Sequence, residues 1–458
     1  YIVYPLFAFV LIFLDIILRI VTFLGIDTST KSVGEWNGLT KTKLDDIVRR
    51  GTVILGKPFI SYVDENNGDG NLFKQIRNLK IDMVETLLLL ASILYERREE
   101  NVNEAIKKIK GFENKAIIQE DILYIRDQLL ISEEPIRNQV KKWGIKFTSI
   151  TELNSLGGPY AGMFWSTKGN FIVVGFKGTT PAYFSEWLAD FMIQKIDARA
   201  YLYGQVHEGF YTSLFPEDDY AASKLYRRSP SLRLIEAIRG KAAEIKNYNK
   251  TINKTDPISL WITGHSLGGG LATLFYTHLL KNPKIVGEDC IIRDGVTFAA
   301  PNVGDKDFAA YFSSQSNGSF EPTSTLWRVV AENDIVPHIS PSYIHPRLSR
   351  FFKSIDVLNY FHIGEEIKFH FDGSLPTSTR PIFETENYFY YEKRSKLTNI
   401  NLTKVDQIVV DSDKFLYPYE KYIPSFFRNH FTHRYFVSLE KSRHHFEALE
   451  NYINDNCK

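Results

Sequence analysis

The chain has 458 residues, of which 44% are hydrophobic and 24% charged, so it can bury a large core, and its length alone would permit two or three domains. Lys and Arg (55) nearly balance Asp and Glu (54), and a net charge of +1 indicates neither nucleic-acid binding nor bulk attraction to anionic lipid. The two cysteines exclude a disulfide framework. Neither a phosphate-binding glycine loop nor a Cys/His cluster at metal-ligand spacing occurs, so we expect no cofactor and no metal.

Residues 1–26 are almost wholly apolar and are interrupted only by Asp15 and Arg19. As a helix this stretch would reach about 39 Å, which is enough to cross a hydrocarbon core of ~30 Å with some tilt. It is too long for a signal-peptide core and lacks a small-residue cleavage site. We therefore expect a membrane anchor, either transmembrane or inserted from one side, and a buried core helix is the alternative.

Residues 27–134 favour a helical N-terminal region in which no chemistry is recognisable. The mostly apolar stretch from Met83 to Tyr95 predicts a helix that is too short to span a membrane, and the charged run from Glu96 to Lys110 follows it. We expect this region either to pack on the domain that follows or to lie at a membrane surface.

The segment from Asn170 to Pro181 predicts a strand that breaks at Gly178. Residues 182–190 come next, and on a helix their large apolar side chains would form one stripe. That stripe contains Tyr183, Phe184, Trp187 and Leu188. Taken by itself it predicts an ordinary helix that faces a core.

The segment from Ile258 to Ala272 is an apolar strand that ends in a glycine-flanked serine and continues into a helix. This pattern predicts a nucleophile elbow, in which Gly264 and Gly268 permit a sharp turn and the hydroxyl of Ser266 is exposed at the carboxyl end of the strand. Ser266 is therefore the candidate nucleophile. The alternative is a tight turn with an idle serine.

A serine nucleophile requires a base, a group that orients the base, and donors for the developing oxyanion. We expect the backbone N–H groups of Thr179, just after the Gly178 break, and Leu267, just after the nucleophile, to be those donors.

An acidic residue follows the next predicted strand, Leu326–Ala331. Asp334 is the candidate orienting acid because it stands at a strand's carboxyl end and follows the nucleophile in sequence. Two other acids are alternatives: Glu332 is interpreted as a solvated loop charge and Asp305 as part of a turn.

The base stays open at this level, because a lone histidine is usually structural. The histidines that follow Asp334 are His338, His345, His362, His370, His430, His433, His444 and His445.

Six blocks of sequence, in the same order, resemble the class 3 lipases, the fungal-type α/β-hydrolases that cleave triacylglycerols. They are residues 176–179, 187–190, 206–210, 264–269, 301–304 and 333–337. The resemblance implies an α/β-hydrolase domain over residues 135–458, with a central, mostly parallel sheet flanked by helices. Within the family, the pattern is most similar to the membrane- and oil-body-associated triacylglycerol lipases.

In that branch the catalytic histidine follows a proline and stands five residues before a tyrosine. Pro424, His430 and Tyr435 resemble this spacing, so the resemblance implies His430 as general base, with His433 as the alternative.

The resemblance also implies that residues 182–190 form a short lid, with Phe184 and Trp187 on its apolar face. The chain departs from the family pattern in two places. Lys177 stands where an arginine is usual, and the long separation of Asp334 from His430 implies insertions around 340–360 and 372–416.

The resemblance implies serine-dependent hydrolysis of acylglycerol esters, most simply of triacylglycerol to diacylglycerol and fatty acid. It also implies a location at an endoplasmic reticulum membrane or a lipid droplet. The partner would be a lipid substrate and not a nucleic acid, and the oligomeric state is not implied. Phospholipase A1 or di/monoacylglycerol lipase activity is the alternative, and a catalytically silent, membrane-anchored lipid-binding protein is a more distant one.

Overall fold

The structure is a computed structural model. It describes residues 33–57, 79–112, 118–152, 160–178, 194–216, 229–318, 325–339, 359–384, 389–396 and 424–456. The expected anchor over residues 1–26, the expected oxyanion donor Thr179, and the lid residues Phe184 and Trp187 lie outside these ranges. Within them, we find no helix with both the length and the apolar character needed to cross a bilayer.

The described residues form helices along the whole chain. These are α1 (Val33–Trp36), α2 (Lys41–Leu55), α3 (Ile81–Ile93), α4 (Glu99–Lys110), α5 (Gln119–Ser132), α6 (Glu134–Lys142), α7 (Glu208–Leu214), α8 (Pro230–Thr251), α9 (Leu267–Lys281), α10 (Lys306–Gly318), α11 (Ser425–Arg428) and α12 (Thr432–Asn456). Short 3-10 turns occupy Leu94–Glu96, Pro283–Val286 and Val336–His338.

The strands are β1 (Lys146–Glu152), β2 (Tyr160–Ser166), β3 (Phe171–Lys177), β4 (Lys195–Asp197), β5 (Gln205–His207), β6 (Ile258–His265), β7 (Cys290–Phe298), β8 (Leu326–Ala331), β9 (Glu365–Phe369), β10 (Thr377–Glu384) and β11 (Phe389–Lys396). Nine of them form one sheet in the order β1-β2-β3-β6-β7-β8-β9-β10-β11. The centre, from β3 to β9, is parallel, and the strands at both edges are antiparallel. The predicted α/β fold with a mostly parallel sheet is confirmed.

Helices enclose this sheet on both faces. In β3, Ile172, Val174 and Phe176 face a core that α8 and α9 cover, whereas Phe171 and Val173 face a second core formed with α2, α3 and α12. Successive side chains of a strand point to opposite faces, so a strand that is buried on both faces has an unbroken apolar sequence.

Helix α3 packs across the second face of the sheet. Twelve of its residues are buried, as expected for a mostly apolar helix within a core. The Thr263 hydroxyl of β6 donates a hydrogen bond to the Leu87 carbonyl of α3 at 3.4 Å. The sequence left open whether this helix packs on the following domain or lies at a membrane, and it packs on the sheet. The domain boundary at residue 134 stays a prediction.

Charged side chains, of which Glu85 is buried and the others are half-buried, connect α3 with the helices on either side of it. Arg443 of α12 pairs with Glu85 and, at 2.7 Å, with Asp82 of α3, and Arg50 of α2 reaches Asp82 at 2.8 Å. Burial raises the pKa of Glu85 to about 6, although the Arg443 guanidinium opposes that rise. The cluster therefore holds the C-terminal helix on the N-terminal helices.

The second insertion expected from the sequence, 372–416, contains a described hairpin. Strands β10 and β11 pair antiparallel from Thr377 with Lys396 to Glu384 with Phe389, and they extend the edge of the sheet beyond β9.

Candidate active site

Strand β6 and helix α9 are joined by Ser266 alone. Its backbone has φ 58° and ψ −129°, in the region of positive φ that L-residues rarely occupy. A Cβ on Gly264 would lie 2.2 Å from the carbonyl oxygen of Gly268, and a Cβ on Gly268 would lie 2.2 Å from that of Phe176. Both glycines are therefore required for the close approach of strand and helix, and the turn has the geometry of a nucleophile elbow.

The imidazole of His430 bridges the serine and a carboxylate. Its Nε2 lies 2.9 Å from Ser266 Oγ, and its Nδ1 lies 3.1 and 3.2 Å from the two oxygens of Asp334. A carboxylate oxygen accepts, so Nδ1 carries the hydrogen and Nε2 can accept the proton of the serine hydroxyl. This is the arrangement that a serine nucleophile requires.

Further donors orient the Asp334 carboxylate. The backbone N–H of Val336 donates to Oδ1 at 3.0 Å, and the hydroxyl of Tyr435 donates to Oδ2 at 2.6 Å. Burial and the neighbouring carboxylate raise the pKa of Tyr435 well above its usual range, so the hydroxyl keeps its proton. Three donors, counting His430, thus face one buried carboxylate.

The loop that follows β8 is attached to the turn that carries His430. Asn429 donates through its side-chain amide to the Glu332 carbonyl at 2.7 Å, and the backbone N–H of Ile335 donates to the Phe426 carbonyl at 3.1 Å. These bonds bring the acid and the imidazole together although they are 96 residues apart in sequence.

Residues 173–344 match the family described as lipase (class 3). Residues 173–344 therefore correspond to a class 3 lipase domain. The matched range contains Ser266 and Asp334, and His430 lies beyond its end.

Curated relatives of the class 3 lipase domain are named as enzymes that act on lipids. Triacylglycerol lipase OBL1 of Arabidopsis thaliana is 27% identical over 183 residues, which are 37% of this chain and 34% of that protein. Phospholipase A1-IIgamma of Arabidopsis thaliana is 28% identical over 232 residues, or 47% of this chain and 51% of that protein. Phospholipase A1-II 3 of Oryza sativa subsp. japonica is 31% identical over 215 residues, or 40% and 46%. The chain thus spans about a third to a half of the length of these relatives.

Solved structures similar to the class 3 lipase domain include fungal lipases. The native Rhizomucor miehei lipase propeptide complex has a TM-score of 0.36 and 17% identity over 69% of this chain and 78% of that one. Lipase II from Rhizopus niveus has a TM-score of 0.33 and 22% identity over 51% and 70%.

Of the two expected oxyanion donors, Leu267 lies within the described ranges and Thr179 does not. Leu267 is the first residue of α9, and an N–H at that position has no acceptor within its own helix. Strand β3 ends close to the elbow, as shown by a Cβ built on Gly178, which would lie 3.1 Å from the Ser266 Cβ. The other expected donor, Thr179, is the next residue and lies outside the described ranges.

The residues considered as alternatives to Asp334 and His430 contact other groups. Glu332 is 3.6 Å from His370, and Asp305 accepts two backbone N–H groups, at 2.8 and 3.1 Å. The ring of His433 stacks on Phe431 with the centroids 5.7 Å apart. Within the described ranges, no group of three or more His, Cys, Asp and Glu side chains is arranged to hold a metal ion.

Three side chains beside the triad of Ser266, His430 and Asp334 were missed as functional candidates in the sequence. Tyr435 was used there only as a spacing marker, yet its hydroxyl contacts Asp334. His265, directly before the nucleophile, and Tyr95 are 2.9 Å apart between Nδ1 and the hydroxyl oxygen. The position of His265 beside Ser266 was a usable signal. No sequence signal marks Tyr95, which is 170 residues from His265.

Proposed function

We propose that this chain hydrolyses carboxylic ester bonds of acylglycerols, with triacylglycerol as the main substrate and an acyl-enzyme on Ser266 as the intermediate. The observation that carries the proposal is the His430 imidazole, which lies 2.9 Å from Ser266 Oγ and 3.1 Å from Asp334 at a positive-φ turn. The names of the relatives support ester chemistry on lipids. The proposed steps need no cofactor.

In the first half-reaction, Ser266 Oγ bonds to the ester carbonyl carbon while its proton passes to Nε2 of His430. Asp334 holds the other ring nitrogen in its protonated form and balances the charge of the imidazolium. The carbonyl oxygen becomes an oxyanion that accepts from the backbone N–H of Leu267 and, as the sequence predicts, of Thr179. The loss of one such donor typically lowers the rate by about a hundred- to a thousandfold.

The tetrahedral intermediate then collapses. The bond from the carbonyl carbon to the glycerol oxygen breaks, and that oxygen takes the proton from His430 as diacylglycerol leaves. Water next attacks the acyl carbon and gives a proton to His430 Nε2. Finally the bond to Ser266 Oγ breaks, the serine recovers its proton, and the fatty acid is released.

Phospholipase A1 activity is the second candidate, because two of the relatives above carry that name and the same triad cleaves either ester. The test is oleate release by the purified chain from triolein, dioleoylglycerol and phosphatidylcholine under one set of conditions, with Ser266→Ala as the control. Release from triolein that Ser266→Ala abolishes supports the proposal. Cleavage of phosphatidylcholine with triolein untouched would overturn the triacylglycerol assignment.

A serine-reactive fluorophosphonate probe separates an enzyme from a silent lipid-binding protein. The wild-type chain should be labelled at Ser266 and Ser266→Ala should not. Separate His430→Ala and His433→Ala variants test the base, and near-normal activity in His430→Ala would contradict its assignment.

The proposal also locates the chain at a reticulum membrane or a lipid droplet, with residues 1–26 as anchor and with Phe184 and Trp187 on a lid over the site. Its support is the apolar sequence of residues 1–26. The double variant Leu11→Arg/Leu14→Arg should release a fluorescent fusion of the full chain from droplets, since each charge opposes insertion by about 2.5–3.5 kcal/mol. A fusion that stays on droplets despite both changes would exclude this anchor.

A further inference from the structure

The hydroxyl of Tyr95 lies between the ends of two strands of the catalytic centre. It is 2.9 Å from Nδ1 of His265, the last residue of β6, and it lies against Gly178, directly after β3. A Cβ on Gly178 would lie 2.2 Å from this hydroxyl. One side chain from the N-terminal helical region therefore contacts both strand ends beside Ser266.

His265 continues the contact to the catalytic imidazole. Its Nε2 lies 2.9 Å from the backbone carbonyl oxygen of His430, and the two rings are 4.9 Å apart between centroids. A carbonyl oxygen only accepts, so Nε2 carries the hydrogen and Nδ1 must accept from the Tyr95 hydroxyl. Burial and the nearby His430 hold the pKa of His265 well below its usual range, so the ring stays neutral and keeps this tautomer.

A second contact from the same N-terminal segment holds the end of β3. Glu99, at the start of α4, lies 3.1 Å from the Lys177 ammonium. Lys177 is the residue that replaces the arginine usual in the family. Tyr95 and Glu99 thus hold consecutive residues of the strand that leads to the expected oxyanion donor.

We propose that Tyr95 and His265 form a hydrogen-bonded relay that positions the backbone of His430 and the Gly178 end of β3 against Ser266. This inference rests on the proposed function. Both are positioning residues, because they act through the backbone of His430 and the end of β3 and not on the ester itself. Tyr95 lies outside residues 173–344, so the relay makes the N-terminal region a functional part of the lipase domain.

The relay predicts an effect on turnover. Asp334 fixes the side chain of His430, whereas the relay fixes its main chain, and both are needed to keep Nε2 at 2.9 Å from the serine oxygen. A displacement of about 1 Å at such a centre can lower the rate on the order of a hundredfold. The relay does not contact the substrate, so substrate binding should change little.

The test compares Tyr95→Phe with Tyr276→Phe in the full chain, with p-nitrophenyl butyrate as a soluble ester. Tyr276 is buried, and its hydroxyl donates to the Thr325 carbonyl at 3.3 Å, about 15 Å along α9 from Ser266. The control therefore loses a comparable hydrogen bond away from the site. We expect Tyr95→Phe to lower kcat at least tenfold with KM within twofold of wild type, and Tyr276→Phe to keep kcat within twofold.

Variants at His265 distinguish positioning from simple packing. His265→Gln keeps an N–H donor for the His430 carbonyl and should retain more turnover than His265→Leu. In the double variant Tyr95→Phe/His265→Leu, kcat should fall by less than the product of the two single losses, because both single changes break the same hydrogen bond. The rate of fluorophosphonate labelling should follow the same order and needs only small amounts of folded protein.

Equal kcat in Tyr95→Phe and Tyr276→Phe would overturn the relay, and so would losses that multiply in the double variant. The proposed function fails separately, if the wild-type chain neither cleaves the soluble ester nor reacts with the probe.

Discussion

Replacement of Asp334 by asparagine is the sharpest test of the triad, because the structure predicts how the amide orients. Val336 N–H donates to Oδ1 at 3.0 Å and the Tyr435 hydroxyl donates to Oδ2 at 2.6 Å. A backbone N–H can only donate, whereas a hydroxyl can turn and accept, so the amide oxygen takes the Oδ1 position and the NH2 group takes the Oδ2 position, 3.1 Å from Nδ1 of His430. An NH2 group donates, so it favours the tautomer with Nδ1 unprotonated and the hydrogen on Nε2. That nitrogen then cannot accept the Ser266 proton.

The expected loss in kcat is about a thousand- to ten-thousandfold, the size found when a triad imidazole is held in the wrong tautomer. It corresponds to about 4–5.5 kcal/mol of transition-state stabilisation. The assay is turnover of p-nitrophenyl butyrate together with the rate of fluorophosphonate labelling.

Asp305→Asn is the matched control, since this second buried aspartate accepts two backbone N–H groups at the turn before α10. It should lower thermal stability and leave kcat of the folded protein within a few fold of wild type. If Asp334→Asn keeps more than a tenth of wild-type turnover, or if Asp305→Asn loses as much, the assignment of Asp334 as the orienting acid is refuted.

Three further predictions concern the surroundings of the triad. Tyr435→Phe removes a hydrogen-bond donor to the charged Asp334, a bond that contributes about 1.5–3 kcal/mol, so kcat should fall about ten- to a hundredfold. Turnover equal to wild type would contradict a role of Tyr435 in orienting Asp334. Glu85 has a pKa of about 6 in the folded chain against 4.5 normally, so the folded state binds more protons between these values and stability falls as pH rises through them. Urea titrations at pH 4.5 and 7 measure this effect: between these pH values the free energy of unfolding of wild type should fall by about 2 kcal/mol more than that of Glu85→Gln. Equal falls in the two proteins would contradict the raised pKa of Glu85. Gly264→Ala places a Cβ 2.2 Å from the backbone of α9 and should abolish probe labelling, whereas Gly240→Ala, with open space on α8, should raise the unfolding free energy by about 0.5–1 kcal/mol. Normal labelling of Gly264→Ala would show that the elbow tolerates a side chain.

Local sequence patterns predicted the central strands and the elbow well. The segment ending at Gly178, the strand before Ser266 and the strand before Asp334 are all present as β3, β6 and β8. Each is encoded by a run of neighbouring residues: an apolar strand buried on two faces, followed by glycine or an acid at its carboxyl end.

The helix at Met83–Tyr95 shows where such patterns stop being decisive. Its length and apolar character were predicted, but a mostly apolar helix suits a protein core and a membrane surface equally well. Only its neighbours decide between them, and α3 is covered by β6 and by α12.

The sequence by itself determined what short-range chemistry can encode: the α/β class, the serine at its turn, and an acid just after a later strand in the order that the family uses. Tertiary structure alone decided which imidazole meets Ser266, and it added Tyr435, His265 and Tyr95 around the triad. The physical reason is separation along the chain. His430 lies 164 residues from Ser266, and Tyr95 lies 170 residues from His265. Contacts at that range arise from the packing of whole helices onto a sheet, which the periodicity of any one segment does not contain.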